Sequence, residues 1–147
     1  MIYLDNAATT LRKPQAVLDA VLDALQHSGN CARGVHEASL SAAHTVYTAR
    51  RKLADFFGCS RPEQVIFTAN ITEALNLTLR GLFSPGDHII STDLEHNSVL
   101  RPLYLLRDSG VAVDFVPADA HGSLCYDAIA PLISSNTKAI VCTHASN

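Results

Sequence analysis

The sequence lacks a hydrophobic run long enough to cross a bilayer, which takes about 20 consecutive apolar residues. It also lacks an excess of positive charge, since 11 lysines and arginines stand against 14 aspartates and glutamates, for a formal net charge of -3. This balance gives no indication of nucleic acid or an anionic membrane as a partner. The first residues contain neither a basic segment nor an apolar one, so we expect no signal peptide.

Cysteine is sparse and is not arranged for cross-linking. The sequence contains no C-x-x-C pair, and its four cysteines are far apart: Cys31, Cys59, Cys125 and Cys142. This spacing argues against a disulfide framework or a zinc site and favours a reducing, cytoplasmic location. The seven histidines are scattered and no H-E-x-x-H motif is present, so no metal site is expected.

Several familiar catalytic and phosphate-binding motifs are also absent. There is no G-x-x-x-x-G-K-[ST] and no G-x-G-x-x-G, so neither a Walker loop nor a Rossmann loop is indicated. The G-x-S-x-G nucleophile elbow is missing as well. What remains is a chain of 147 residues without internal repeats or flexible linkers, long enough for one domain with a hydrophobic core.

Short apolar runs alternate with helical patterns along this chain. Strands are predicted at 65–67, 88–91, 111–116 and 139–142. Helices are predicted from Pro14 to before Gly29, from about Leu40 to Phe57, and at about 72–83, 98–109 and 126–133. Apolar strands joined by helices predict an α/β fold, in which a mainly parallel sheet is flanked by helices in three layers.

The predicted domain organisation is simple. Residues 1–13 are predicted to form an extended N-terminal arm, and residues 14–147 to form one α/β domain. Only five residues follow the last predicted strand, and a further helix should come next to cover it. We therefore expect the domain to be incomplete and the chain to be the first part of a longer protein.

The stretch from Gln64 to Asn76 has the pattern of a short strand, a polar turn and the start of a helix. Asn70 can cap this helix, and Glu73 stands at the position of the second capping-box residue. A helix that starts here offers free backbone N–H groups to a phosphate, and Thr72 adds a hydroxyl donor. For this stretch alone, a helix cap that binds no anion is the commoner case.

Polar residues follow three of the predicted strands, at 70–72, 93–98 and 144–147. In an open parallel sheet, ligands bind outside the carboxyl ends of the strands, which lie on one rim. A phosphate site, the imidazole of His96 and the carboxamide of Asn147 could then meet one ligand. The alternative is that each set is a local cap or turn, with Asn97 or Ser98 capping a helix and Asn147 in an Asx-turn.

With these residues in view, the chain resembles the class V aminotransferase family, close to its cysteine desulfurases and selenocysteine lyases. The resemblance is carried, in the family's order, by the stretches Tyr3–Thr10, Arg33–His36, Phe67–Asn76, Glu95–Leu100 and His144–Asn147. It implies a homodimer of fold type I that uses pyridoxal 5'-phosphate. Residues 14–147 would then be part of the large, cofactor-binding domain.

The resemblance also implies which residues bind the cofactor. Thr72 and the amide of Ile71 would hold its phosphate. His96 would stack on the pyridine ring and act as the catalytic residue that shuttles protons. Asn147 would donate a hydrogen bond to the phenolic oxygen of the ring.

Further residues match the family's substrate and subunit contacts. Asn6 and Ala7 would lie beside the amino-acid substrate, cysteine or selenocysteine. Arg33 and His36 match a loop that reaches toward the active site of the partner subunit. A sulfur-acceptor protein is a further implied partner.

The chain departs from the family in lacking its covalent machinery. None of its lysines, Lys13, Lys52 and Lys138, fits the family's Schiff-base lysine, which, like the persulfide-forming cysteine, comes later in the family. The implied activity of the parent enzyme converts L-cysteine to L-alanine and an enzyme-bound persulfide, and this chain alone is expected to be inactive.

Three alternatives stay open at this point. The first is another class V enzyme, namely a selenocysteine lyase, an aminotransferase or an epimerase. The second is a non-catalytic binding or dimerisation module, and the third is a generic α/β protein that binds a phosphate or a nucleotide.

Overall fold

The computed structural model describes residues 2–6 and 9–144, and the chain divides into two compact units between Phe67 and Thr68. Residues 2–6 and 9–14 contain neither helix nor strand. The sequence-based division into an arm over residues 1–13 and one domain over 14–147 stays a prediction. In the described part of the chain, no helix is both long enough and apolar enough to span a membrane.

The first unit contains two helices. Helix α1 (Gln15–His27) begins directly after Pro14, whose fixed φ suits a helix start, and ends at Ser28. Helix α2 (Glu37–Phe56) begins earlier than the predicted Leu40. Its end is followed by Gly58, with a φ of 67°, a left-handed conformation that glycine adopts without steric cost. A 3₁₀ turn, Pro62–Gln64, packs against α2.

The strand predicted at residues 65–67 is wrong. Val65 has extended backbone angles, but residues 65–67 pair with no strand in the described part of the chain. Ile66 is 72% exposed and Phe67 is 46% exposed. The apolar run predicted the extended conformation, but a strand also needs a neighbour that satisfies its backbone N–H and C=O groups.

The second unit is built from alternating helices and strands. Its elements are α3 (Ile71–Leu82), β1 (His88–Thr92), α4 (Asn97–Asp108), β2 (Ala112–Val116), α5 (Ile129–Leu132) and β3 (Thr137–Ile140). The strands form a parallel sheet in the order β2-β1-β3. Three of the four predicted strands are thus confirmed with small shifts of their ends, and so is the fold class of a parallel sheet flanked by helices.

The core of the second unit lies where α3 and α4 pack near the sheet. Strand β1 is buried along its whole length, as expected of the central strand in a sheet covered on both faces. The core cluster combines one side chain of α3, three of α4, one of β1 and the residue directly before β2: Leu79, Val99, Leu103, Leu106, Ile89 and Val111. Each such side chain contributes roughly 1.5–3 kcal/mol through its burial. This core fixes the two helices against β1 and so positions the helix starts that form the site.

Candidate functional site

The start of α3 is capped by its own sequence. Asn70 has extended backbone angles, and its side-chain oxygen accepts a hydrogen bond of 2.9 Å from the N–H of Glu73. The Glu73 carboxylate in turn accepts a bond of 2.8 Å from the N–H of Ala69. The predicted capping box is confirmed, with Glu73 reaching one residue further back than usual.

This cap leaves two donors of the first turn for a ligand. The backbone oxygen of Asn70 accepts from the N–H of Ala74, so the two oxygens of Asn70 take the amides of Glu73 and Ala74. Neither oxygen takes the amides of Ile71 and Thr72, which lie at the positive end of the helix dipole. Thr72 is exposed, so its hydroxyl can join these amides in binding an anion.

His96 caps the next helix. Its Nδ1 accepts a hydrogen bond of 3.1 Å from the N–H of Ser98 and lies 2.8 Å from the Ser98 hydroxyl oxygen. The expectation that Asn97 or Ser98 caps this helix is therefore wrong. Because a backbone N–H can only donate, Nδ1 carries a lone pair and the neutral ring holds its proton on Nε2. The cap thus fixes both the tautomer and the orientation of an exposed imidazole.

The two helix starts open onto one cleft. It has a volume of about 530 Å³, within the usual range for small-molecule sites. Its lining combines the predicted residues Thr72 and His96 with polar neighbours on both helices and one leucine: Asn76, Asn97, Ser98, Arg101 and Leu105. The structure therefore brings together a helix start with N–H donors, a cation and an imidazole of fixed tautomer.

Arg101 and Asn76 are two residues of this cleft that sequence reasoning did not single out. Arg101 follows Asn97 by one helical turn, and Asn76 follows Thr72 by one turn. The spacing of four residues was a signal that could have found them, since residues at i and i+4 share a helix face. Asn76 is already engaged, because its amide donates a bond of 2.9 Å to the backbone oxygen of Thr72.

A buried carboxylate lies directly before His96. Glu95 is only 7% exposed, and it accepts three hydrogen bonds of 2.8 Å. The donors are the hydroxyl of Thr92 and both the N–H and the hydroxyl of Thr143. We call Thr92, Glu95 and Thr143 the Glu95 cluster. It joins the end of β1 to the segment that follows β3.

A second polar cluster lies at the other end of the sheet. The buried ring of His88 has Nδ1 at 2.8 Å from the Thr137 hydroxyl oxygen and Nε2 at 3.1 Å from the Asp114 carboxylate. We call His88, Asp114 and Thr137 the His88 cluster. It connects one residue from each of the three strands.

Other predicted site residues lie in the first unit. The amide of Asn6 donates a bond of 3.4 Å to the backbone oxygen of Tyr3, and Asn6 lines a small cleft of about 220 Å³ with Tyr3, Leu11 and Arg12. Ala7 and Asn147 lie outside the described residues, so their predicted roles stay predictions.

The loop that contains Arg33 and His36 is organised around a buried serine. Both residues are exposed, and Nε2 of His36 lies 3.0 Å from the hydroxyl oxygen of Ser39. A Cβ atom at Gly34 would lie only 2.1 Å from that same oxygen, so glycine is required there. The predicted contact of this loop with a partner subunit stays a prediction.

The three lysines have no place in the cleft as described. Lys13 donates to the backbone oxygen of Thr10, and Lys138 lies 4.0 Å from the Asp87 carboxylate. Lys52 lies within α2. Among the described residues that line the cleft, the cation is Arg101, which cannot form a covalent adduct with a carbonyl as lysine can.

Comparisons with known proteins agree with the fold and cover the whole chain. A probable cysteine desulfurase of Halobacterium salinarum is 37% identical over 153 aligned residues, which cover 100% of this chain and 37% of the relative. The apo structure of a cysteine desulfurase from Thermococcus onnurineus NA1 superimposes with a TM-score of 0.86 at 36% identity, over 99% of this chain and 37% of that chain.

A second solved structure, SspA in complex with cysteine, has a TM-score of 0.83 at 27% identity, over 97% of this chain and 42% of that chain. The chain thus spans about 37% of the length of the curated relatives that it matches. The family model that describes class V aminotransferases matches residues 2–147. The chain therefore belongs to the class V aminotransferase family.

Proposed function

We propose that this chain is the N-terminal, cofactor-binding part of a cysteine desulfurase that uses pyridoxal 5'-phosphate. The observation that carries the proposal is the cleft in which the capped starts of α3 and α4 bring Thr72 and His96 together. The curated relatives and solved structures described as cysteine desulfurases support the same assignment.

The cleft fits the phosphate group of this cofactor. The amides of Ile71 and Thr72 and the Thr72 hydroxyl would donate hydrogen bonds to the phosphate oxygens, and the helix dipole favours the negative charge. Arg101 lines the same cleft and adds a positive charge. A cofactor with a dianionic phosphate thus meets several donors, and the Glu73 carboxylate is turned toward the amide of Ala69.

The cleft also fits an aromatic ring. The His96 imidazole lines the cleft and is held in one orientation because its Nδ1 caps α4. Its flat face could therefore pack against an aromatic ring, and its Nε2–H could donate to a ligand. Pyridoxal phosphate, when bound, supplies an electron sink for deprotonation at the substrate Cα. His96 Nε2 would hold or move a proton beside it, and Asn147 would donate to the phenolic oxygen.

The proposed reaction converts L-cysteine to L-alanine and an enzyme-bound persulfide. The solved relative described as bound to cysteine supports cysteine as the substrate, and Asn6 and Ala7 would lie beside it. The lysine and cysteine that react covalently would come from the remainder of the protein. Homodimer formation, with Arg33 and His36 reaching the partner subunit, transfer of sulfur to an acceptor protein and a cytoplasmic location belong to the same proposal.

Replacement of His96 by alanine in the full-length protein tests the proposal. We expect the wild-type protein to show the visible absorbance of bound cofactor, and His96→Ala to lower kcat by roughly 10²–10⁴-fold, as for a lost general acid–base. Cysteine-dependent alanine formation measures this loss, and thermal unfolding checks that the variant stays folded.

The matched control is His121→Ala, which removes an exposed histidine from a turn of the same unit. It should leave both alanine formation and the absorbance unchanged. A colourless wild-type protein that retains no pyridoxal phosphate would contradict the proposed function.

A further inference from the structure

We infer that Glu95 is a positioning residue that holds two chain segments of the proposed cofactor site in place at once. Its carboxylate fixes the loop that carries His96 and the segment that begins at Thr143, and both would contribute to the cofactor site. The inference rests on the proposed function for what the cleft binds, while the contacts that carry it belong to the described structure.

The contacts of Glu95 cross a long distance in the sequence. One oxygen accepts from the Thr92 hydroxyl and the Thr143 N–H, and the other accepts from the Thr143 hydroxyl. Thr92 is the last residue of β1, and Thr143 follows β3. The bond from the Ser91 hydroxyl to the backbone oxygen of Val141, at 3.0 Å, strengthens the same junction.

The position of Glu95 in the loop makes this junction relevant to His96. Glu95, the residue before His96, is held by the hydrogen bonds of its carboxylate. The imidazole of His96 is itself held by the N–H of Ser98, two residues further along the chain. With both the preceding residue and the ring held in this way, the imidazole has little freedom to move away from the cleft. A buried carboxylate that accepts three hydrogen bonds also has a defined conformation, since any other would leave its oxygens and the buried Thr92 hydroxyl without these partners.

The hydrogen bonds that Glu95 accepts allow its role as an acceptor to be tested separately from the role of its negative charge. Glutamine at position 95 could keep all three bonds, because its oxygen accepts from Thr92 and from the Thr143 N–H. Its NH₂ group would then donate to the Thr143 hydroxyl oxygen, since a hydroxyl can donate or accept. Glu95→Gln therefore removes the charge and keeps the junction, whereas Glu95→Ala removes both.

The experiment compares four variants of the full-length protein with the wild type. They are Glu95→Ala, Glu95→Gln, Thr143→Val and, as the control, Thr137→Val. The control removes a hydroxyl at the opposite end of the sheet, which contacts the His88 ring and Ser134. Hydrogen–deuterium exchange of the cofactor-free protein is followed in peptides that cover residues 92–98 and 141–147. The affinity for pyridoxal 5'-phosphate is measured by absorbance titration.

Glu95→Ala should accelerate exchange in both peptides and weaken cofactor affinity by roughly tenfold to a hundredfold, as for other residues that orient binding groups. Glu95→Gln should keep both the exchange rates and the cofactor affinity close to those of the wild type. Thr143→Val, which keeps its N–H, should lie between them. Thr137→Val should leave the affinity and the exchange of both peptides unchanged.

Several results would overturn the inference. They are a folded Glu95→Ala protein with wild-type affinity, a folded Glu95→Gln protein as impaired as Glu95→Ala, or a loss of affinity in Thr137→Val equal to that in Thr143→Val. If Glu95→Ala does not fold, Thr143→Val decides, and an unchanged affinity in that variant rejects the inference.

The two readouts also separate this inference from the proposed function. A wild-type protein that binds no pyridoxal phosphate refutes the proposed function. Exchange in the cofactor-free protein still decides whether Glu95 joins the two segments, and exchange in residues 141–147 that is unaffected by Glu95→Ala rejects that junction.

Discussion

The two ends of the parallel sheet carry polar clusters of similar construction, yet they differ in their relation to the cleft. The Glu95 cluster directly precedes His96, which lines the cleft, whereas no described residue that lines the cleft is next in sequence to a member of the His88 cluster. At the carboxyl end, the buried Glu95 carboxylate accepts bonds from Thr92 and Thr143. At the amino end, the buried His88 ring contacts Asp114 and Thr137. Both clusters join β1 to β3 or to the segment after it, so the polar junction alone does not distinguish a binding site.

What distinguishes the carboxyl end is the pair of helix starts beside it. A parallel strand order places the first turn of α4 after the end of β1, and α3, which precedes β1, also has its first turn at that end. First turns present unpaired N–H groups and a positive dipole, whereas last turns present carbonyl groups. The proposed anionic ligand would therefore find donors next to the Glu95 cluster and not next to the His88 cluster.

The largest expected effect on stability separates the two clusters. Glu95→Ala should lower the free energy of unfolding by about 3 kcal/mol, because it removes three hydrogen bonds to a buried carboxylate and leaves the buried Thr92 hydroxyl without its acceptor. Asp114→Ala should cost less than about 1 kcal/mol, because the Asp114 side chain is 55% exposed and its pair with His88 is screened by water. Urea unfolding of the two variants measures both values. Equal losses would remove the distinction.

The next effect concerns the anion site at the carboxyl end. Thr72→Val in the full-length protein should weaken cofactor affinity by about tenfold, since a hydrogen bond to a charged group contributes about 1.5–3 kcal/mol. Thr78→Val, an exposed threonine further along α3, is the control and should bind as tightly as wild type. Absorbance titration measures the affinities, and an unchanged affinity in Thr72→Val would argue against phosphate at this helix start.

A smaller effect is expected at the cap of α3. Asn70→Ala removes the acceptor for the Glu73 N–H and should destabilise the protein by about 1 kcal/mol. Asn70→Asp keeps that acceptor and should recover the stability, although its negative charge should weaken binding of an anion at the same first turn. Thermal unfolding and cofactor titration of the two variants separate capping from binding. An Asn70→Asp protein that binds the cofactor more tightly would contradict a phosphate at this turn.

The smallest effect is expected at the amino end. Thr137→Val removes one contact of the His88 ring and the acceptor of the N–H of exposed Ser134. It should cost about 1 kcal/mol or less of stability, with no change in cofactor affinity. The same two measurements apply. A clear loss of affinity in this variant would show that the two ends of the sheet are coupled.

Much of this arrangement could be predicted from local sequence. The apolar runs within 88–91, 111–116 and 139–142 indicated the strands, and the parallel order of such strands predicted that residues such as His96 would gather at one rim. The capping box of Asn70 and Glu73 is a local pattern, so its residues were recognised directly.

The errors have physical reasons. Residues 65–67 have the composition of a strand, but their pairing depends on a neighbour that local sequence does not identify. His96 was not expected as a cap because Ser, Thr, Asp and Asn are the usual capping residues. The Glu95 cluster joins residues 48 apart in the chain, a contact that no spacing rule predicts.

The central claim is that the cofactor binds at the carboxyl end of this sheet. Nuclear magnetic resonance of the full-length protein, labelled with ¹⁵N in its histidines, tests it most directly, because His96 and His88 report on the two ends within one sample. Addition of pyridoxal 5'-phosphate should shift the ring signals of His96 and leave those of His88 in place. Shifts at His88 with none at His96 would contradict the account.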